Sequence, residues 1–248
     1  FLRLATRARR EASRLMHTRG HKQGQRWVRK MRTWLGRLIR DIQRKIAGNS
    51  DLEAAFKVAL QRAEKVHGQQ PNDKAKLYAL HAPEVECIGK GKARTRYEFG
   101  VKTSIATTNE RARGGQFVLG IMALPGNPYD GHTLARQIDQ VAKLTGRTVN
   151  RAYVDRGYRG HKMKREGLDI TISHTRGITS PTIRREMRRR NGIEPVIGHL
   201  KDDGHLERNH LRGPDGDAIN AILCAAGHNL RLLARWLRHF LLQSCAWV

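Results

Sequence analysis

An aspartate that follows an apolar, strand-like segment is the first residue whose position suggests chemistry. Asp155 comes directly after Arg151–Val154, and a Gly-rich turn that carries Arg156 and Arg159 follows it up to Gly160. Side chains at the carboxyl ends of strands in α/β sheets open onto the ligand crevice. A carboxylate there could hold a divalent cation while the basic turn receives phosphate. An Asp that only caps the next turn fits the same pattern, so both interpretations stay open at this point.

A second carboxylate, Glu194, lies among cations at helical spacing. One face of the predicted helix is apolar, with the positions Ile193, Val196, Ile197 and Leu200. Arg190 and Lys201 fall with Glu194 on an adjacent stripe, which suits either a metal–phosphate site or an ordinary surface salt-bridge ladder. Pro195 disfavours helix at Glu194, and Asn191-Gly192 stands just upstream. A helix that restarts there would direct Arg190 elsewhere.

The segments that must position these residues alternate between strand and helix patterns. Short β-prone stretches are predicted at 76–80, 96–107, 115–124, 148–154 and 168–173. Helices are predicted at about 134–144, over most of 182–201, and at 218–242, where the apolar face is strongest. A basic hairpin turn is expected at Gly89–Lys92, which lacks the spacing of a phosphate-binding loop. This order of elements predicts a mixed α/β layer fold.

The front of the chain is strongly basic and has a helical pattern. Residues 1–50 contain 15 Lys and Arg and only two acids. Trp27, Met31, Leu35 and Leu38 recur at helical spacing, and Asn49 is suited to cap a further helix that ends near Gly68. We predict an all-helical basic region over residues 1–68 and an α/β core over residues 69–248.

Composition narrows the class of protein. The 248 residues carry a formal net charge of +26, which favours a polyanionic partner, and nucleic acid is the commonest one. The longest uncharged apolar run, 218–230, has 13 residues, short of the roughly 18 that a membrane span needs. The three cysteines are isolated, which argues against a disulfide scaffold or structural zinc and favours a reducing cytoplasm. Cys224 is expected in the core.

Several motifs taken together resemble bacterial insertion-sequence DDE transposases, specifically the insertion-sequence-five family. The strongest are YVDRGYRG at 153–160 and IEPVIGHLK at 193–201. HAPEVE at 81–86, YEFG at 97–100 and GDAIN at 216–220 extend the likeness over roughly residues 76–235. The resemblance implies a ribonuclease H-like mixed sheet flanked by helices, with three carboxylates around two Mg²⁺ or Mn²⁺ ions. It also implies that the helical front is an insertion between the first two strands of that core.

The resemblance assigns roles to individual residues. Asp155 matches the second acid, and Glu194 matches the third acid of an Arg-x3-Glu-x6-Lys pattern that Arg190 and Lys201 complete. Met187 stands where the wider group has Tyr, three residues before the Arg. The first acid belongs on a strand upstream of the helical insertion, and no strand-borne Asp precedes position 96. We therefore expect the first catalytic Asp to lie outside this chain.

The function that follows is metal-dependent DNA cleavage and strand transfer. Asp155 and Glu194 would act as metal ligands, and four cations would hold DNA: Arg156, Arg159, Arg190 and Lys201. The resemblance further implies a homo-oligomer on DNA in the bacterial cytoplasm, associated with the nucleoid, and no membrane partner. An inactive remnant that only binds DNA is the alternative. A basic structural protein unrelated to transposition ranks last because it leaves the surroundings of Asp155 and Glu194 unexplained.

Overall fold

The computed structural model describes residues 2–16, 19–89, 97–110, 115–175, 177 and 180–245. The chain forms two compact units, Phe1–Val85 and Glu86–Val248. No helix in the described ranges is long and apolar enough to cross a membrane.

The described part of the first unit has three helices: α1 (Leu2–Met16), α2 (His21–Ile46) and α3 (Ser50–Gly68). This confirms the prediction of a helical front for the described residues. Ala8 and Ala12 of α1 are buried, and α2 approaches α1 closely at Gly24, where a Cβ would lie 3.1 Å from Met16 Sδ. Asn49 caps α3 as predicted, because its side chain accepts a hydrogen bond from the Leu52 N–H at 3.1 Å.

The stretch 76–80, predicted as β-prone, forms no strand. Leu77 is buried, and its backbone pairs with the side-chain amide of Gln69. The Leu77 N–H donates to Gln69 Oε1 at 2.9 Å, and Gln69 Nε2 donates to the Leu77 carbonyl at 3.1 Å. A side chain therefore satisfies the groups that a neighbouring strand would satisfy, and the strand prediction was wrong for this reason.

The second unit has six described strands, which pair as three separate two-stranded sheets. The strands are β1 (Glu86–Gly89), β2 (Tyr97–Gly100), β3 (Lys102–Thr107), β4 (Val118–Leu124), β5 (Arg151–Val154) and β6 (Asp169–Ile172). β1 pairs antiparallel with β2 and β3 pairs antiparallel with β4, whereas β5 and β6 are parallel. The mixed α/β class is confirmed, but the described strands do not join into one sheet. The predicted basic hairpin turn at 89–92 lies mostly outside the described residues.

Among the described residues of the second unit there are four α-helices: α4 (Asp130–Thr145), α5 (Pro181–Arg190), α6 (Ile193–Asp202) and α7 (Gly213–Cys245). α4 ends at Gly146, whose φ of 65° is the left-handed conformation that Gly adopts without strain. The helix predicted over 182–201 is two helices, because the chain turns at Asn191 and Gly192. Arg190 and Glu194 therefore do not share one helical stripe, which corrects that part of the prediction.

Helix α4 packs on two of the sheets. Toward β4, Gln140 Nε2 donates to the Ile121 carbonyl at 2.9 Å, and Gly120 leaves room for the α4 glutamines, since a Cβ there would lie 2.7 Å from them. Toward β5, Leu134 and Ile138 form a buried cluster with Val154. One helix thus supports the strand that leads to Asp155 and the β3–β4 pair.

The main core lies between β4 and the last two helices. Its members are Val118, Ile121, Val196, Leu200, Ala221, Cys224 and Ala225. The Asn229 side chain fixes α7 against β4, because it accepts from the Val118 N–H at 2.9 Å and donates to the Val118 carbonyl at 2.8 Å. Cys224 is 5% exposed, as the sequence predicted, and burial raises the pKa of its thiol.

Candidate active site

Asp155 follows the last residue of β5 and begins the 3₁₀ turn Arg156–Tyr158. Its Oδ1 accepts hydrogen bonds from the Arg156 N–H at 2.6 Å and from the Ser173 hydroxyl at 3.1 Å. Ser173 comes directly after β6 and is only 3% exposed. Because β5 and β6 are parallel, their carboxyl ends lie together, and the buried hydroxyl holds the carboxylate at this edge.

The Asp155 carboxylate is accessible and ionised. Its side chain is 61% exposed although Oδ1 has three partners. Partial burial raises the pKa of Asp155, but the Arg156 N–H, the Arg190 guanidinium and the Ser173 hydroxyl together lower it more, so the pKa lies below its ordinary value of 3.8. The other oxygen, Oδ2, accepts no hydrogen bond from the described residues and can take a ligand.

Arg190 connects the two sequence motifs. It is the last residue of α5, its side chain is 15% exposed, and Nη2 lies 3.4 Å from Asp155 Oδ1. Arg190, the first residue of the Arg-x3-Glu-x6-Lys pattern that contains Glu194, therefore contacts the carboxylate that follows β5. The sequence selected both residues, but it could not show that they touch.

A cluster around Glu186 fixes α5 against β5. The Glu186 carboxylate accepts two hydrogen bonds from Arg151 Nη1, both at 2.9 Å, and a short one from the Tyr153 hydroxyl. Asn109 Nδ2 donates to the Glu186 carbonyl at 3.1 Å. These contacts set the position of α5 along the strand, and with it the reach of Arg190 toward Asp155. Glu186 was missed in the sequence, where it is one more acid in an arginine-rich helix.

The corner between α5 and α6 rests on a buried glutamine. Gln116, 6% exposed, donates from Nε2 to the Arg189 carbonyl at 2.9 Å and accepts from the Thr107 hydroxyl at 3.1 Å. The backbone carbonyl oxygen of Gln116 lies 3.1 Å from Nε2 of His228 on α7. The glutamine also packs on Gly192, where a Cβ would lie 3.1 Å from Nε2. No motif distinguishes Gln116 in the sequence, since its role depends on contacts distant in the chain.

Glu194 lies in the first turn of α6, where the exposed N–H groups favour a negative charge. Its side chain is exposed, and no hydrogen bond or ion pair to another described residue holds the carboxylate. Val196 and Leu200 bury the opposite face of α6 at 3% and 0% exposure. Pro195 is accommodated because the amides of the first turn have no partner within the helix. Helix α6, held by its buried face, thus exposes the Glu194 carboxylate, which can bind a ligand.

The remaining predicted cations lie on the surface of the second unit. Lys201, near the end of α6, is 3.7 Å from Glu98 of β2, and the Lys201 side chain is 40% exposed. Arg156 and Arg159, in the turn after Asp155, are both exposed.

The described residues contain no group of three or more carboxylate, His or Cys side chains that could hold a metal ion.

An ionised carboxylate at a strand end, an available glutamate and nearby arginines suit metal-assisted chemistry on phosphate. The family model of the transposase DDE domain matches residues 64–230, which is well over half of the chain and includes all of these side chains. The chain belongs to the DDE transposase family. Comparison with curated proteins and with solved structures finds no match.

Proposed function

We propose that this protein catalyses metal-dependent phosphodiester cleavage and strand transfer for a bacterial insertion sequence of the insertion-sequence-five family. The observation that carries the proposal is the contact between Arg190 and Asp155, which joins the two motifs inside the matched family region. A salt-bridge ladder on one helix, the simpler interpretation of the sequence pattern, does not account for a contact between a helix end and a strand end.

Each side chain has a defined role in this proposal. Asp155, through its available oxygen, and Glu194 would hold Mg²⁺ or Mn²⁺. The bound ions would supply positive charge that activates the attacking water and stabilises the leaving oxygen. Arg190 keeps Oδ1 of Asp155 oriented and, with Lys201, would bind phosphate near the scissile bond. Arg156 and Arg159 would bind the DNA backbone next to it.

We propose that a further strand completes the core. β3 and β4 contact α4, and β5 and β6 pack against the α4 residues Leu134 and Ile138, yet the two pairs are separate sheets among the described strands. A strand between β3 and β5 would join them into the ribonuclease H-like mixed sheet. If that strand ended in an Asp, it would bring the third carboxylate next to Asp155. This strand and its acid lie outside the described residues.

A second candidate function is favoured by one observation. Because the described residues hold no cluster of three metal-binding side chains, this chain alone could be a remnant that binds DNA without cutting it. Both candidates share DNA as partner and a site of action on the bacterial nucleoid. The strongly basic helices of residues 1–50 would add affinity for DNA that does not depend on sequence.

The test is Mn²⁺-dependent nicking of a DNA that carries the element's ends. It compares this chain with a version extended upstream by the natural coding sequence. We expect cleavage by the extended version and none by this chain alone. Cleavage by this chain unaided would show that an acid within residues 1–248 completes the site. Failure of both versions, with DNA binding intact, would favour the inactive remnant.

A further inference from the structure

Helix α7 carries a second apolar face, opposite to the face that packs in the core. We call its six central residues the α7 seam: Ile219, Leu223, Ala226, Leu230, Leu233 and Leu237. They follow one another at steps of four and three residues, which is the heptad spacing of a coiled coil. All six are exposed, and the fractions reach 64% at Leu230 and 60% at Leu223 and Leu237.

The seam is wider than a single row of side chains. Ile222 and Leu241 flank it and are 56% and 52% exposed. At 100° per residue, the seam lies about 160° from the centre of the buried α7 side chains, which are Ala221, Cys224, Ala225, His228 and Leu232. Together these side chains form a contiguous exposed apolar patch, the kind of surface that marks an interaction site. Its apolar chemistry does not suit DNA, so the expected occupant is an apolar helix.

The order of residues in the seam is complementary to itself. If two copies of α7 lie antiparallel and cross at the level of residue 228, three kinds of pairs form: Ile219 with Leu237, Leu223 with Leu233, and Ala226 with Leu230. Each pair occurs twice, as the two-fold symmetry of a dimer requires. At the centre the small Ala226 faces the larger Leu230, so the two helices interlock. A second copy of α7 is therefore a partner of matching length and spacing for the seam.

The charges along α7 favour the same arrangement. The first half of the helix contains the acids Asp215 and Asp217, and the second half contains Arg231, Arg235 and Arg238. A parallel pair would place the arginine-bearing halves side by side. An antiparallel pair places each basic half beside the acidic half of the other copy.

We propose that the α7 seam binds the α7 seam of a second copy of this protein in an antiparallel coiled coil. The inference gives the homo-oligomer expected of a transposase a specific interface, but it does not depend on the carboxylates or on catalysis. Its failure is therefore distinguishable from failure of the proposed function, because it is tested without DNA, metal or cleavage.

The test uses the full 248-residue chain, freed of nucleic acid and held at high salt. Light scattering coupled to gel filtration should give the mass of a dimer. Leu223→Glu and Leu233→Lys should each weaken self-association roughly 100-fold or more, because a single charge would be buried against leucine. Leu144→Glu, at a 65%-exposed leucine on α4, is the matched control and should remain dimeric.

Mixing the two charged variants tests the orientation. In an antiparallel pair Glu at 223 faces Lys at 233, so the mixture should recover the dimer, whereas a parallel pair would leave both charges against leucine. A monomeric wild type, or a Leu223→Glu variant that remains dimeric, would overturn the proposal. So would a mixture that stays monomeric.

A crosslinking measurement does not rely on the charged variants being folded. Ala226→Cys and Leu230→Cys variants, each with Cys87 and Cys245 changed to Ser, should form a disulfide-linked heterodimer when mixed. Absence of that product under oxidising conditions would contradict the antiparallel register.

Discussion

Glu186 shows how an acid outside the catalytic pattern can control a candidate active site. Arg151 and Tyr153 come from the strand that leads to Asp155, and both bind the Glu186 carboxylate. Glu186 lies one helical turn before Arg190, so the same helix carries the clamp and the cation that contacts Asp155. A shift of α5 along the strand would therefore move Arg190 and change the orientation of the Asp155 carboxylate, the candidate metal ligand.

We predict that Glu186→Gln destabilises the protein in a pH-dependent way. The hydrogen bond from Tyr153 and the charge of Arg151 lower the pKa of Glu186 below its ordinary value of 4.5. The carboxylate thus stabilises the fold at pH above about 4.5, and this contribution is lost as the pH falls through the lowered pKa. The variant should lower Tm by about 2–4 °C at neutral pH.

The measurement is thermal unfolding of wild type and variant at several pH values. The difference in Tm should be full at pH 7 and should shrink in acid. Asp139→Asn is the matched control, because Asp139 forms an exposed ion pair with Arg165 at 2.7 Å and should change Tm little. A difference that stays constant down to acid pH would contradict the role of the Glu186 charge.

The sequence identified some of these residues but not others, for a physical reason. Asp155 and Glu194 stand in local patterns, a strand end and a helix start, that the chain shows directly. Ser173, Glu186 and Gln116 act through partners that are 18, 35 and 73 residues away in the chain. Local patterns contain no information about such contacts.

At the level of elements, the sequence predicted whether a segment is helical better than it predicted where one helix ends and the next begins. The helices α4 and α7 have strong apolar faces, and both were predicted. The turn at Asn191-Gly192 separates α5 from α6, so the continuous helix that put Arg190 and Glu194 on one stripe was wrong in detail. Packing against Gln116 determines this corner, and the sequence pattern did not reveal it.

Two glycines of this region should respond in opposite ways to the same substitution. A Cβ on Gly192 would lie 3.0 Å from the Arg189 carbonyl and 3.1 Å from Gln116 Nε2, whereas a Cβ on Gly198 would meet no atom within 4 Å. We predict that Gly192→Ala destabilises by about 1 kcal/mol because of close packing. Gly198→Ala in α6 should stabilise by about 0.5–1 kcal/mol.

Chemical denaturation of both variants and wild type is the measurement. Gly198→Ala is the matched control, since it makes the same change in the neighbouring helix. Equal effects of the two substitutions would contradict the account of the corner. If Gly192→Ala also displaces Gln116, DNA cleavage should fall more than the loss of stability explains.

At the scale of the whole molecule, basic charge is densest in residues 1–50, which hold 15 Lys and Arg against two acids. Helix α2 presents Lys22, Arg26, Arg29, Arg37 and Arg40 on one exposed stripe, at steps of three, four and eight residues. The stripe lies roughly 120° around the helix from the buried Ile39 and Ile46. A row of cations on one side of a helix is the arrangement that a DNA backbone can meet.

We predict that changing Arg26, Arg29, Arg37 and Arg40 to Gln reduces the salt dependence of DNA binding. Each lost phosphate contact should lower the slope of log K against log salt by about 0.9. Filter binding or fluorescence anisotropy over a salt series measures the slope. The control changes Arg44 and Lys45, which pair with Asp41 at 3.4 and 2.9 Å, and should reduce the slope less. An unchanged slope in the fourfold variant would mean that this face does not contact DNA.

The most direct test of the central claim separates cleavage from binding. It uses whichever form of the protein, this chain or the upstream-extended one, nicks DNA with Mn²⁺. Asp155→Asn and Glu194→Gln should each abolish nicking while DNA affinity and folding stay intact, because both carboxylates would hold metal. Asp139→Asn and Glu207→Gln, at exposed acids elsewhere in the same unit, should cut normally. Nicking that survives in either Asp155→Asn or Glu194→Gln would contradict the assignment of these residues as metal ligands.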